Sequence, residues 1–453
     1  MDRAEEVTAM TEKMTMNDMI MLSVDDHAIE PPDLFVGRMP ARYEDETPRV
    51  AQYANGDERW VVEGKAWGGV GPAAVAGRKR EELGDEPTRY GDVRKGTWDV
   101  DARIDDMNAN GTLMSLNFAS LLGFAGEKLV KGKDKELMLA IVRAYNDWHI
   151  EDWAGRYPAR LIPNGILPLW DVDLAVAELR RIRDAGCRVV SFPENPTGFG
   201  QPSIHWGHWD RLFAEIVERD MAVAVHIGTS GGLLPTPSME SPADVGVTLL
   251  NIKIAEAMTD LLFSPLLLKF PKLRILMSEG CMGWVPFLRE RANAEYRNHR
   301  YWTHADLGDL LPSDLLARHF LFCFHEDNFG LAVRHEVGID QISWECDYPH
   351  ADSTWPSSPE QLWASVKDYP REEIDKITHG NAMRFLNIDP FQHIDRKDAT
   401  VGALRAKATH VNTELMSAGG LKPVKSGSVL STADVYKMFQ QGDARLGEPI
   451  GYL

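Results

Sequence analysis

SVDDHAIEPPDLF, residues 23–35, follows the apolar run MIMLSV at 19–24, and its reading decides the fold. MIMLSV has the character of a short buried strand. Successive strand side chains point to opposite faces, so Asp25 and His27 share one face and Asp26 takes the other. A carboxylate and an imidazole together at the end of a buried strand fit a surface turn. They equally fit half of a metal site. The rest of the chain decides between the two.

Seven further apolar runs resemble the first. They are GTLMSLNF (111–118), RLIPNGILPL (160–169), CRVVSF (187–192), MAVAVHI (221–227), LRILMSE (273–279), HFLFCF (319–324) and QISWECD (341–347). Amphipathic helical stretches such as DVDLAVAELRRIRDAG separate them. Near-continuous apolar strands alternating with helices predict a parallel sheet covered on all sides. Eight such units predict an α/β chain closed into a (β/α)8 barrel. An open doubly wound sheet is the alternative, but the first strand is not followed by its usual Gly-x-Gly-x-x-Gly turn.

Two regions break the repeat. Residues 36–98 are rich in Gly, Pro and charge and contain the alternating stretch RWVVEGKAW. They read as a small β subdomain inserted in a barrel that spans 20–389, placed to cover its mouth. Residues 390–453 contain SAGGLKPVKSGS and read as a C-terminal extension, either a surface segment or an arm on a second subunit. Residues 1–19 read as an N-terminal tail.

Composition narrows the function. The 453 residues are 44% hydrophobic and 26% charged, as in a soluble globular protein. The net charge of −19 argues against nucleic acid as the main partner, because phosphate binding needs a basic surface. No window approaches the roughly 18 consecutive apolar residues of a membrane span. The N-terminus opens with acids and has no continuous apolar core, so it does not read as a secretory signal. Cys187, Cys281, Cys323 and Cys346 form no Cys-x-x-Cys pair, which argues against a cysteine-rich zinc site. The expectation is a cytoplasmic protein with reduced thiols that acts on a small molecule.

In a barrel of this type the active site lies at the C-terminal ends of the strands. Six of the eight runs end in groups that bind metal or move protons: Asp25-Asp26-His27, Glu194 in PEN, His226, Glu279, His325-Glu326-Asp327 and Asp347. Each has an ordinary explanation as a turn residue or a helix cap. Together they favour a metal site, because charge directly after a buried strand must be paired, hydrogen-bonded or bound to metal.

At these residues the chain resembles the amidohydrolase-2 branch of the amidohydrolase superfamily, the aminocarboxymuconate semialdehyde decarboxylase-like enzymes. The matching pieces are VDDHAIEPPDLF, DARIDDMNANG (101–111), AYNDW (144–148), HIGTSGG (226–232), SEGCMGWVP (278–286), CDYPHADSTWP (346–356) and HGNAMRFL (379–386). They span about residue 20 to 388. The resemblance implies a metal-dependent, distorted TIM barrel with a small β insertion, commonly dimeric. It places metal ligands at Asp25, His27, His226 and Asp347. The sixth-strand position, usually a catalytic histidine, falls on Glu279, the main departure. Glutamate there serves as a further ligand or as a general base. Such an oxygen-rich set suits iron, manganese or zinc, and one ion or two.

The first functional reading is a metal-dependent hydrolase, in which a metal-activated water cleaves an amide, ester or thioester. Asp347 and Glu279 would be its catalytic residues. Glu194, His325, His350 and Trp344 are candidates for second-sphere or substrate contacts. Trp170, Phe192, Trp206, Trp344 and Trp355 near strand ends would suit a bulky apolar acyl group, as in an acyl-CoA thioesterase. The alternative is a non-oxidative decarboxylase of an aromatic or enoic acid, against which the missing histidine counts. The third is a barrel that has lost catalysis and binds a ligand.

Overall fold

Each of the eight apolar runs forms a strand in the computed structural model, which describes residues 14–71, 73–83, 87–230, 234–415, 429–437 and 447–453. Strand β1 (Met21–His27) is buried at all seven residues and runs past the apolar stretch to include Asp25, Asp26 and His27. The insertion supplies β2 (Arg49–Gln52), β3 (Glu58–Val62) and β4 (Lys65–Gly69). Strand β5 is Thr112–Phe118. The third run splits into β6 (Leu161–Ile162) and β7 (Asn164–Gly165) around Pro163, which has no N–H to give a ladder. Then come β8 (Val189–Ser191), β9 (Ala222–His226), β10 (Ile275–Ser278), β11 (Phe320–Phe324) and β12 (Ile342–Trp344).

The strands pair in parallel as β1-β5-β6 and as β7-β8-β9-β10-β11-β12. The split third run joins the two sets on one side. On the other, Asp347 N–H donates to Asp25 O at 2.9 Å and His27 N–H donates to Tyr348 O at 2.7 Å. The segment after β12 thus lies against β1, and the strands complete a distorted (β/α)8 barrel. Helices between the strands cover its outside, capped as their sequences predict. Asp134 accepts from Glu136 N and Leu137 N, and Asp171 accepts from Asp173 N and Leu174 N.

Strand alternation divides the core. Ala222, Ala224, Leu276, Leu321 and Cys323 fall in one buried cluster. Val223, Val225, Ile275, Met277, Phe320, Phe322 and Trp344 fall in another, with helix residues such as Leu212 and Leu262. His226 therefore continues the Ala222–Ala224 face to the barrel mouth. On β1 a bulge intervenes: Ser23 opposes Ser115 and Asp26 opposes Asn117. Bulges re-aim side chains beside functional sites.

The insertion forms an antiparallel sheet with β2 next to β3 and β3 next to β4. The chain end adds β13 (Gly451–Tyr452) to it, pairing with Gln52 and Ala51 of β2. Within the C-terminal extension, Val401 N–H donates to Met19 O at 2.8 Å and Thr432 N–H to Ser241 O at 2.8 Å. The described parts of the extension thus engage their own chain. SAGGLKPVKSGS lies outside the described residues. The insertion reaches the mouth where Val75 N–H and Ala76 N–H both donate to Pro349 O at 2.9 Å. Among the described residues no helix is long and apolar enough to cross a membrane.

Gly111 ends the helix Val100–Asn110 in a left-handed conformation at φ +78°, and a Cβ there would sit 2.8 Å from Val401 Cγ1 and 3.2 Å from Val401 Cα. Gly111→Ala should therefore destabilise the protein by about 1–3 kcal/mol. Gly91→Ala, which meets nothing within 4 Å, should change stability far less. Denaturant midpoints of the two variants check this; equal midpoints would contradict it.

Candidate metal centre

Four strand ends converge at the mouth. β1 brings Asp25 and His27, β9 brings His226, the turn after β10 brings Glu279, and the segment after β12 brings Asp347 and His350. His27 Nε2 lies 3.5 Å from Asp25 Oδ1 and 3.4 Å from Asp347 Oδ1. His226 Nε2 lies 3.4 Å from Asp25 Oδ2 and 3.2 Å from Glu279 Oε2. His350 Nδ1 lies 2.9 Å from Asp347 Oδ1, and its ring centroid is 3.8 Å from that of His27. Phe124 caps His27 and His226, with centroids at 4.6 and 4.4 Å.

The backbone is bent to make this convergence. Glu279 and Asp347 both have φ +57°, where non-glycine residues are uncommon and cost about 1–3 kcal/mol. Glu279 N–H is held by Glu345 Oε2 at 3.2 Å, and Asp347 N–H by Asp25 O. DARIDDMNANG supports the same region. Arg103 donates to the carbonyls of Gly96 and His27. Asp106 binds Arg94 and accepts from Tyr348 Oη at 2.7 Å, which ties the DYPH turn to the helix. Asp26 turns away from the centre, as alternation predicts, and accepts from Tyr348 N, Ser23 Oγ and Ser115 Oγ.

The donor atoms fit a divalent ion. Both oxygens of Asp25 and of Asp347, both ring nitrogens of His27 and Nε2 of His226 are buried without a hydrogen-bond partner. Native buried polar groups are otherwise almost always satisfied. His226 Nδ1 donates to Ile227 O at 2.7 Å, which leaves Nε2 as the lone-pair nitrogen facing the cluster. Ligand atoms of Asp25, His27 and His226 lie within 4.8 Å of one another, as do those of His27, Glu279, Asp347 and His350. Burial, then the charge of neighbouring carboxylates, pushes Asp25 and Asp347 well above the usual carboxylate range. Burial and the Asp347 charge push Glu279 up to about 8. Burial holds His27 well below the usual imidazole range and His350 down to about 4. Three acids and neutral imidazoles that resist ionising together are what a dication relieves.

The remaining candidates divide. His325 is half-withdrawn from solvent, with Nδ1 3.7 Å from Glu345 Oε1. With His350 it lines a cavity of about 670 Å³ that also meets Arg80 and Trp355. Burial opposes the His325 charge, but the Glu345 and Asp347 carboxylates outweigh it and raise the group to about 9. Glu194 sits apart from the clustered donors; its Oε2 accepts from Ser230 N and Ser230 Oγ at 3.2 and 2.9 Å. Trp344 does not face the site: alternation puts Ser343 and Glu345 inward and sends Trp344 outward into the helix-packed core. The bulky-acyl surface fails with it. Phe192 packs on Trp209 and Phe213, Trp206 is 77% exposed, and Lys135 covers Trp170, so of the five only Trp355 lines the cavity.

Sequence reasoning passed over Glu345. It is fully buried, orients the Glu279 backbone and contacts Cys323 and His325. Its signal was its spacing, two residues before Asp347 on the same face.

The sequence pattern of the family described as Amidohydrolase matches residues 35–388. A 2-amino-3-carboxymuconate-6-semialdehyde decarboxylase of Dictyostelium discoideum is 23% identical over 309 residues, 67% of this chain and 81% of that protein. Among solved structures, an amidohydrolase from Mycobacterium avium subsp. paratuberculosis superimposes with a TM-score of 0.62 at 20% identity, over 81% of this chain and 99% of that one. A 5-carboxyvanillate decarboxylase from Novosphingobium aromaticivorans, complexed with manganese and 4-hydroxy-3-methoxy-5-nitrobenzoic acid, has a TM-score of 0.52 at 18% identity, over 65% and 82% of the two chains. At these identities the structural likeness speaks for the fold.

The raised acids set a sign for stability against pH. With metal removed, Glu279 keeps its proton in the folded state up to about 8 but loses it near its ordinary value when unfolded. The folded state then holds more protons, so stability falls as pH rises through this window. His27 and His350, lowered by burial, act oppositely only below about 6.5. From pH 6.5 to 8 the chelated protein should lose stability, with Glu279 contributing at most about 1.4 kcal/mol per pH unit. Glu279→Gln should reduce the slope, and saturating divalent metal should reduce it further, leaving the part that His325, raised to about 9, contributes with the same sign. Urea midpoints that rise with pH in the chelated protein would contradict this.

Proposed function

Because the chain belongs to the amidohydrolase family, we propose that it is a metal-dependent enzyme that decarboxylates a small aromatic or enoic acid without oxidation. The observation that carries the reading is the buried, unpartnered donor set of Asp25, His27, His226 and Asp347, opening beside the cavity lined by His325 and His350. The curated relative and the manganese-bound neighbour, both decarboxylases by name, favour this chemistry over hydrolysis. A divalent ion held by that set would supply a Lewis acid for the substrate carboxylate and an adjacent oxygen. Manganese, iron and zinc all suit the mixed oxygen and imidazole donors.

The chain's own groups perform the rest. Glu279, 3.2 Å from His226 Nε2 and partly open to solvent, stands where the resemblance expects an imidazole. It delivers the proton that replaces the lost carboxylate, then recovers one from water. The C–C bond breaks to give CO2, a C–H bond forms, and no oxidant is consumed. His350, against Asp347, fixes that carboxylate's orientation. His325 faces the cavity as a cation suited to an anionic substrate. Phe124 and the insertion limit water at the donor set. We propose in addition that the protein is a cytoplasmic homodimer.

Hydrolysis is the second reading, favoured by one observation: a carboxylate at Glu279 suits a base that takes a proton from water. A thioesterase for bulky acyl groups keeps the carboxylate-rich ligand set that suggested it but loses the aromatic surface that would have suited the acyl group. A barrel without catalysis would not need to keep so many buried, unpartnered donors.

Incubation with a panel of hydroxybenzoic and enoic acids, and separately with esters and thioesters, discriminates the readings. Decarboxylation predicts CO2 and the protonated product, with Glu279→Gln lowering kcat about 10²–10⁴-fold while keeping bound metal. Free acid from the esters with no CO2 from any acid would replace it with hydrolysis.

A further inference from the structure

Beside the proposed centre, and sharing Asp25 with it, lies a cluster whose Cys323 and Glu345 neither reaction uses. Cys323 occupies the inward face of β11, in the same cluster as Leu321 and Leu276. Its Sγ lies 2.5 Å from Glu345 Oε2 and 3.3 Å from Met277 O. Asp25, Cys323 and Glu345 are all fully buried, and one ligand atom from each lies within 4.8 Å of the others.

Proton accounting leaves this cluster short. The thiol has one hydrogen to give, either to Glu345 or to Met277 O. Glu345 Oε2 also takes the Glu279 N–H. Glu345 Oε1 and both Asp25 oxygens remain buried without a hydrogen-bond partner. His325 Nδ1, 3.7 Å from Glu345 Oε1, reaches the outer edge of the cluster. A thiol and two carboxylates in an apolar barrel interior call for a cation. One sulfur and two oxygens suit a borderline transition ion such as zinc, iron(II) or cobalt(II), and not magnesium or calcium.

We propose that Asp25, Cys323 and Glu345 form a second divalent transition-metal site, with Asp25 shared between it and the centre at His27, His226 and Asp347. Two cations then divide the negative charge that one would leave uncompensated. Binding is an exchange: Cys323 gives up its S–H proton to water as the metal–sulfur bond forms, and no electron moves. The inference goes beyond decarboxylation and holds whichever reaction the enzyme performs.

Cobalt(II) tests it, because a cobalt-bound thiolate absorbs in the near ultraviolet and a cobalt site of oxygen and nitrogen donors does not. The full chain, stripped by chelator and reloaded with cobalt(II), should hold two ions and show the thiolate band. Cys323→Ser should hold one ion and lose the band, and Cys281→Ser should keep both ions and the band. One cobalt per chain with no thiolate band in the unsubstituted protein would overturn the second site and leave the first centre standing. A band that persists in Cys323→Ser would also overturn it. No bound cobalt would overturn both sites. The unsubstituted protein alone decides the matter should Cys323→Ser fail to fold.

Discussion

Everything at the barrel mouth depends on one electrostatic constraint: Asp25, Glu279 and Asp347 converge with His27 and His226 where water is scarce. Asp25, His27 and Asp347 have no solvent exposure. Apart from His350 Nδ1, 2.9 Å from Asp347 Oδ1, their donor atoms find no hydrogen-bond partners, so the charge is left for a cation to balance. Proteins seldom bury such groups unmet. The surrounding structure makes sense as the scaffold that holds them there.

That scaffold accepts local strain to do so. Glu279 and Asp347 both adopt left-handed backbone, each held by a hydrogen bond from its own N–H. The bulge in β1 turns Asp25 and His27 together toward the centre, while Asp26 turns to Ser115 and the Tyr348 amide. Arg103 and Asp106 tie the backbone of β1 and the DYPH turn to the helix Val100–Asn110. The insertion, extended by the chain end as a fourth strand, is held at Pro349 O through Val75 and Ala76, and the same stretch lines the cavity at the mouth. Strained sites of this kind persist when their surroundings over-determine them.

Much of this was legible in the sequence. Apolar runs at regular intervals specified the strands, because a strand covered on both faces must be apolar throughout. Period-two alternation separated Asp25 and His27 from Asp26 correctly, even across the bulge. The same rule, applied to QISWECD, puts Glu345 inward and Trp344 outward, beside the more conspicuous terminal aspartate. His350 was harder to read. It lies three residues beyond Asp347, past a turn with positive φ, where no simple periodicity says which way a side chain points. Glu194, a candidate for second-sphere or substrate contact, turns its carboxylate Oε2 to Ser230. The pairing of the chain end with the insertion joins residues about 400 apart in sequence and leaves no local signal.

The proposed reaction follows from the donor set only if a metal ion occupies it. X-ray diffraction from manganese-loaded crystals, collected at the manganese absorption edge, tests that most directly. An anomalous peak is expected about 2.0–2.3 Å from His27 Nε2, His226 Nε2 and oxygens of Asp25 and Asp347. A fully loaded crystal with no peak among these atoms, or with manganese only at surface carboxylates, would contradict it.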